Sequence, residues 1–427
     1  MVGGIIKKYS DRIDNRKNIK LLFITIFVLQ AFFSIRYGLK VPWGGDEWFS
    51  YNNFFIMGLP FSILTSLLKD YLGEVNTNNY ILFRQQGILW SLITYYFLYC
   101  VAILSNDKKI SKFAIFLAIF LGLSPYFLQT SQFFRYYHLY FTSSVISTIG
   151  ILKYDSVFNQ KRKWFYIVLL SSLFIHLFFL IQLCVYILFK ELSQLNRKNL
   201  IYILSFLGII TLIVVPNLPN ILAWSVNMLF PSLTLDYPSI FRGYSISSLL
   251  KPFMIIFTFM FGRNLTPLSY LLLDICYFIS GLSLIYGLYI LIKNRPDLRH
   301  PIIFSAILPL IFSVFIIEPI SLPMMTQLAP QHVTFLFPWI AYIFYQLWSF
   351  SVIGRGLNLI LFCGLIYASY LHQTIDYVDW NQIQKVVGEE EVPVISDAAK
   401  TCEFFLNNSV TWFQYTERVE NIINTSD

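Results

Sequence analysis

Residues 164–189 read WFYIVLLSSLFIHLFFLIQLCVYILF, an apolar run without one charged side chain, framed by Lys161, Arg162 and Lys163 before it and Lys190 after it. A run of this length is what a helix needs to cross the hydrocarbon core of a bilayer. Basic residues in short loops stay on the cytoplasmic side. Lysines at both ends of one apolar run therefore imply two crossings rather than one. The run is long enough for a single tilted helix, but the flanking charges favour two short spans hinged near His176 to Phe179.

The rest of the chain has the same character. Its 427 residues are 56% hydrophobic, 19% aromatic and only 13% charged, whereas soluble domains carry about 25% charge. The formal charge of +8 raises nucleic acid as a partner, yet the basic residues sit in short loops between apolar runs, and nucleic acid is not expected. They cluster at Lys7 to Lys20, Lys108 to Lys112, Lys153 to Lys163, Lys190 to Lys198 and Lys293 to Arg299. With all five inside, spans fall near 20–38, 81–104, 113–130, 136–152, twice within 164–189, then 200–216, 268–292, 301–317, 333–350 and 356–371. This gives about eleven crossings, with the N-terminus inside and the C-terminus outside. The segment Leu249 to Gly262 is apolar but short, and is expected to lie in the interface or re-enter it. No cleavable leader is expected, because the first apolar run, Leu21 to Ile35, follows a basic stretch and reads as a retained span.

From His372 onward the chain holds three basic residues against ten acidic ones. Short patterns suggest a helix at Asp379 to Val387, a strand at Val392 to Ile395 and a helix at Ala398 to Leu406. The expected organisation is an all-α polytopic transmembrane domain over 1–371, with a first extracytoplasmic loop at 40–80, and a small extracytoplasmic α/β appendage over 372–427. The five cysteines have no metal or disulfide spacing. Neither a metal site nor a cofactor is expected.

Just beyond the first span stands Val41-Pro-Trp-Gly-Gly-Asp-Glu-Trp-Phe-Ser-Tyr51. Asp46 and Glu47 read either as a solvated loop in an aromatic belt or as catalytic carboxylates. A carboxylate in a partly desolvated pocket suits general-base work on an acceptor hydroxyl. Arg84 and Arg135 fall at outer span ends. Each can snorkel to lipid headgroups or clamp a donor phosphate with paired hydrogen bonds. Arg242 and Lys251 are weaker candidates for the same task. His138, His176 and His332 map to the outer half. His138 and His332 read as packing residues, whereas His176 in its apolar run needs a partner and is a candidate for lining a cavity.

The Asp46-Glu47 pair, with its aromatic and Ser50-Tyr51, resembles the first outer loop of the GT-C membrane glycosyltransferases, which include protein O-mannosyltransferases, aminoarabinose transferases and bacterial relatives. Further loose matches follow in order: Leu82-Phe-Arg-Gln-Gln-Gly87, then Leu123-Ser-Pro-Tyr-Phe-Leu-Gln-Thr-Ser-Gln-Phe-Phe-Arg-Tyr-Tyr137, then His176, then Pro330-Gln-His-Val-Thr-Phe-Leu-Phe-Pro338, and Trp380, Phe404 and Phe405 in the tail. Gln331 departs from the family, where an arginine is frequent, and no second acidic residue stands in 129–138. The resemblance implies Asp46 as the catalytic aspartate with Glu47 beside it, and Arg84, Arg135, Tyr136, His176 and His332 as substrate-binding residues. It implies a polyprenyl-phosphate-linked sugar as donor, a glycan, lipid or protein acceptor in the cell envelope, and an inner-membrane enzyme embedded among membrane lipids. Two alternatives are a polysaccharide polymerase or ligase, which would carry an arginine-rich late loop, and a lipid-linked-sugar transporter, which would show broken helices and repeats.

Overall fold

The computed structural model describes residues 2–40, 45–54, 58–76, 79–193, 255–262, 271–312, 333–374, 395–396 and 411–412. The expected span at 200–216, most of the long loop that follows it, and most of the tail lie outside these residues. So do His332, Gln331, Arg242, Lys251, Trp380, Phe404 and Phe405.

The described chain is almost entirely helical. In order, α1 is Val2–Lys40, α2 Gly45–Asn52, α3 Leu59–Leu72, α4 Tyr80–Arg84, α5 Gln86–Leu104, α6 Lys108–Leu123, α7 Pro125–Thr130, α8 Tyr137–Tyr154, α9 Phe158–Ser172 and α10 Leu177–Leu192. Then come α11 at 255–261, α12 Leu271–Asn294, α13 from Arg299–Ile302 through a wider turn Ile303–Ile307 to Leu308–Phe312, α14 Leu336–Phe350 and α15 Val352–Thr374. Among the described residues, four stretches are long and apolar enough to cross a membrane: Arg16–Lys40, Tyr80–Leu104, Leu271–Asn294 and Val352–Thr374. In the tail, β1 (Ile395–Ser396) pairs in parallel with β2 (Thr411–Trp412). β1 overlaps the strand expected at Val392 to Ile395 at its last residue, and 392–394 lie outside the described residues.

The run that opened the sequence is two helices. The chain breaks at 173–176, and His176, extended at φ −166°, caps α10 by accepting the Phe178 N–H on Nδ1 at 3.2 Å. The far ends of the hairpin are joined. Arg162 at the start of α9 meets Glu191 at the end of α10 (3.0 Å), and Lys190 meets Asp155 (2.7 Å). The two flanking basic clusters therefore share one end of the bundle. Other clusters lie there too: Tyr345 Oη donates to the Lys109 carbonyl at 3.1 Å. Nearby, the Arg295 hydrogen bond, and more weakly the charge of Lys109, hold the Asp297 carboxyl below its ordinary value.

Two local features follow from proline. Ser124 caps α7 by accepting from Phe127 N–H, with Pro125 in the first turn, where its missing N–H costs nothing. In α13, Pro309 cannot donate to the Ser305 carbonyl. Gln182 of α10 donates to it instead at 2.9 Å, which is how an interrupted helix remains satisfied away from water.

The centre of the bundle is α14. Every residue from Leu336 to Leu347 is buried, and rings of α6, α7 and α8 close on it, with Phe120 and Phe141 at 5.3 and 5.0 Å from Phe337. Lipid is as apolar as these side chains, so close packing rather than water exclusion holds such rings together. Within the segment expected to lie in the interface or re-enter it, α11 packs into the bundle: Phe257, Phe259, Met260 and Phe261 are buried, and Phe259 meets Tyr126 at 4.9 Å.

α15 returns to α1. Lys40 Nζ donates to the Gln373 carbonyl (2.6 Å), and Gln373 Nε2 donates to the Phe33 carbonyl (3.1 Å). The first span, expected near 20–38, coincides with the apolar part of α1 at Arg16–Lys40, and the helix itself runs on from Val2. Gly87 of α5 lies against the backbone of Ser131, whose carbonyl oxygen occupies the space a Cβ would take. Gly87→Ala is expected to lower stability by about 1–3 kcal/mol, read as a fall in the thermal midpoint of the detergent-solubilised protein. An unchanged midpoint would mean the close approach is not required.

Candidate active site

The sequence-predicted residues that the structure describes gather at the end of the bundle opposite the basic clusters. α1 delivers the Gly38 carbonyl, α2 carries Asp46 and Glu47, α4 carries Arg84, and the turn between α7 and α8 carries Arg135 and Tyr136. His176 arrives at the break between α9 and α10.

At the centre, Arg84 and Glu47 form a two-pronged pair. Nε donates to Oε1 at 2.8 Å and Nη2 to Oε2 at 2.6 Å. Nη1 donates to the Gly38 carbonyl at 2.6 Å, and Glu47 Oε1 also accepts the Phe134 N–H at 2.9 Å. Both side chains are 1% exposed. A guanidinium fork matched to a carboxylate is the strongest common ionic geometry, and burial demands such matching, because an unpaired charge there is costly. The sequence expectation assigns Arg84 to a donor phosphate and Glu47 to catalysis. In this structure the guanidinium binds Glu47 and Gly38, and both Glu47 oxygens are engaged, so the pair joins α1, α2, α4 and the α7–α8 turn. Asp46 precedes Glu47 on α2, and its side chain lies outside the described residues.

A second cluster locks the loop behind the pair. Tyr51 Oη donates to Glu74 Oε2 at 2.5 Å and accepts the Val75 N–H at 3.0 Å. Lys69 Nζ lies 3.7 Å from the Tyr51 ring centroid and donates to the Tyr51 carbonyl. Burial, reinforced by the Glu74 carboxylate, pushes the Tyr51 hydroxyl up to about 12. Sequence reasoning missed this trio. The available signal was Lys69 and Glu74 flanking Gly73, whose φ of +72° turns the chain back after α3.

Arg135 and Tyr136 are half-buried. Arg135 Nη1 donates to Tyr137 Oη at 3.4 Å, and its guanidinium stands 5.6 Å from that ring. Tyr136 packs on Gly58, which has φ +87° and no room for a Cβ beside the ring. Gly58 and Leu59 both donate N–H to the Phe174 carbonyl, at 2.8 and 3.0 Å. The segment between α2 and α3 is thereby fastened to the α9–α10 break.

His176 is 5% exposed and stacks on Tyr140 at 4.3 Å, with Tyr136 at 5.7 Å and Tyr137 at 6.0 Å. The partner that its apolar setting called for is the Phe178 amide, together with these rings. His138 is buried between Ser91 Oγ (2.8 Å) and Thr130 Oγ1 (3.2 Å), the hydrogen-bonded packing role read for it from sequence. Among the described residues, no three His, Cys, Asp or Glu side chains converge as metal ligands would.

Chemically, the arrangement offers a fixed helix bearing Asp46, an anchored wall of aromatic rings, and a guanidinium on the Phe134–Tyr136 strip whose backbone is hydrogen-bonded to that helix. No family model matches the chain, and neither any curated protein nor any solved structure matches it.

Proposed function

We propose that the chain is a membrane glycosyltransferase of GT-C type, taking sugar from a polyprenyl-phosphate donor to a cell-envelope acceptor on the extracytoplasmic face. In this reading the basic end of the bundle faces the cytoplasm of the inner membrane, the chain crosses about eleven times, and 372–427 forms a small outer appendage. The observation that carries the proposal is the pairing of α2 with the α7–α8 turn through Glu47 and the Phe134 amide. It sets Asp46, next to Glu47, and Arg135, next to Phe134, on two segments that are directly bonded.

The reaction is a single inverting displacement. Asp46 takes the proton of an acceptor hydroxyl, whose oxygen bonds to the anomeric carbon while the bond from that carbon to the phosphate oxygen breaks. The electron pair leaves on the phosphate, where Arg135 stabilises the developing charge. Glu47 and Arg84 position α2, and Tyr136 and His176 hold the wall behind Arg135. The test is mass analysis of surface glycans from cells with and without the protein. The expected result is loss of one sugar residue from a defined acceptor, and identical glycans would overturn the reading.

A further inference from the structure

The basic end of the bundle carries a notch of about 180 Å³ between α6 and α14. Lys108, Lys109 and Lys112 form its rim, and all three are exposed. Tyr345, bonded to the Lys109 carbonyl, joins the two helices beneath them. The facing acidic groups are Asp107 and Asp297. Asp107 caps α6 by accepting the Lys109 N–H, and Asp297 is paired with Arg295 at 2.8 Å. The three lysines thus outweigh what remains.

Two further features narrow the ligand. Gln346 lines the notch and is 2% exposed, and its Oε1, enclosed beneath the lysines, has no hydrogen-bond partner among the described residues. A buried acceptor without a donor is expensive, and the ionised oxygens of a phosphodiester cannot supply one. Phe350, 50% exposed, forms the outer lip. The notch sits where α6 begins and α14 ends.

We propose that this notch binds the headgroup of an anionic glycerophospholipid whose phosphodiester carries a free hydroxyl group. The phosphodiester lies among Lys108, Lys109 and Lys112, the hydroxyl donates to Gln346 Oε1 as rotation of the side-chain amide turns that oxygen toward the notch, and an acyl chain runs past Phe350. The site is at the opposite end of the bundle from Asp46, so lipid retention and sugar transfer are read separately.

Native mass spectrometry of the full-length protein in detergent tests this with three probes: phosphatidylglycerol, phosphatidylmethanol (the same charge without the hydroxyl) and inorganic phosphate. The protein is expected to retain phosphatidylglycerol over phosphatidylmethanol. Replacing Lys108, Lys109 and Lys112 together by Ala is expected to reduce retention about 10²-fold. Gln346→Leu is expected to erase the preference between the two lipids while keeping both bound. A control with Lys153, Lys161 and Lys163 replaced by Ala is expected to retain lipid as the wild type does. Equal loss in that control would show diffuse charge attraction only and overturn the site. Competition by millimolar inorganic phosphate would reassign it to a soluble anion, and undiminished retention by the Lys108, Lys109 and Lys112 variant would remove it.

Discussion

Asp46→Asn is expected to lower sugar transfer about 10²–10⁴-fold, the usual contribution of a positioned general base, while the protein still accumulates and unfolds as the wild type does. The amide keeps the shape of the carboxylate but cannot accept the acceptor's proton. The described hydrogen bonds of the Glu47–Arg84 pair run between its two members and to Gly38 and Phe134, and the amide at 46 is expected to leave them in place. The measurement is single-turnover transfer from a polyprenyl-phosphate sugar, with melting followed on the same preparation. Wild-type transfer by Asp46→Asn would remove the central residue from the mechanism.

Arg84→Ala is expected to behave differently, losing about 3–5 kcal/mol of stability together with activity. Removing the guanidinium strands Glu47 as a buried charge and leaves the Gly38 carbonyl without its donor. Replacing both partners, Glu47→Leu with Arg84→Met, is expected to cost less than Arg84→Ala alone, because no charge is then left buried. A lysine at 84 lacks the fork that reaches two carboxylate oxygens and a carbonyl together, so Arg84→Lys should not restore the wild-type melting point. Denaturant unfolding of the four proteins in detergent decides the matter. A loss below 1 kcal/mol for Arg84→Ala would show that water or lipid headgroups reach Glu47 and that the pair is not the keystone described.

The contrast explains what the sequence could and could not convey. Apolar length and flanking lysines were enough to place α5, α8, α9, α10, α12, α14 and α15 within a few residues, because membrane thickness and the charge of the loops leave few choices. The break near His176 was legible for the same reason. Burial within the bundle was not. α11 and α14 are apolar all round, as lipid-facing helices also are, and only their neighbours distinguish the two. Arg84 illustrates the same difficulty at the site. A cation at an outer span end suits a phosphate as well as a carboxylate, and Glu47, 37 positions away in sequence, carries no local mark of being its partner. Tyr51, Lys69 and Glu74 likewise interact only after Gly73 has reversed the chain.

The double acceptance by the Phe174 carbonyl has a temporal consequence. The loop that bears Asp46 leaves the ribosome more than a hundred residues before the oxygen that receives Gly58 and Leu59. Until the turn between α9 and α10 is in place, those amides have only water to bond, and the loop has no fixed floor. Every partner described for Glu47 and Tyr51 is nonetheless complete by residue 134. Maturation of this face therefore runs in two strokes: an early ionic clasp between the first helices, then a late docking onto the hairpin that follows.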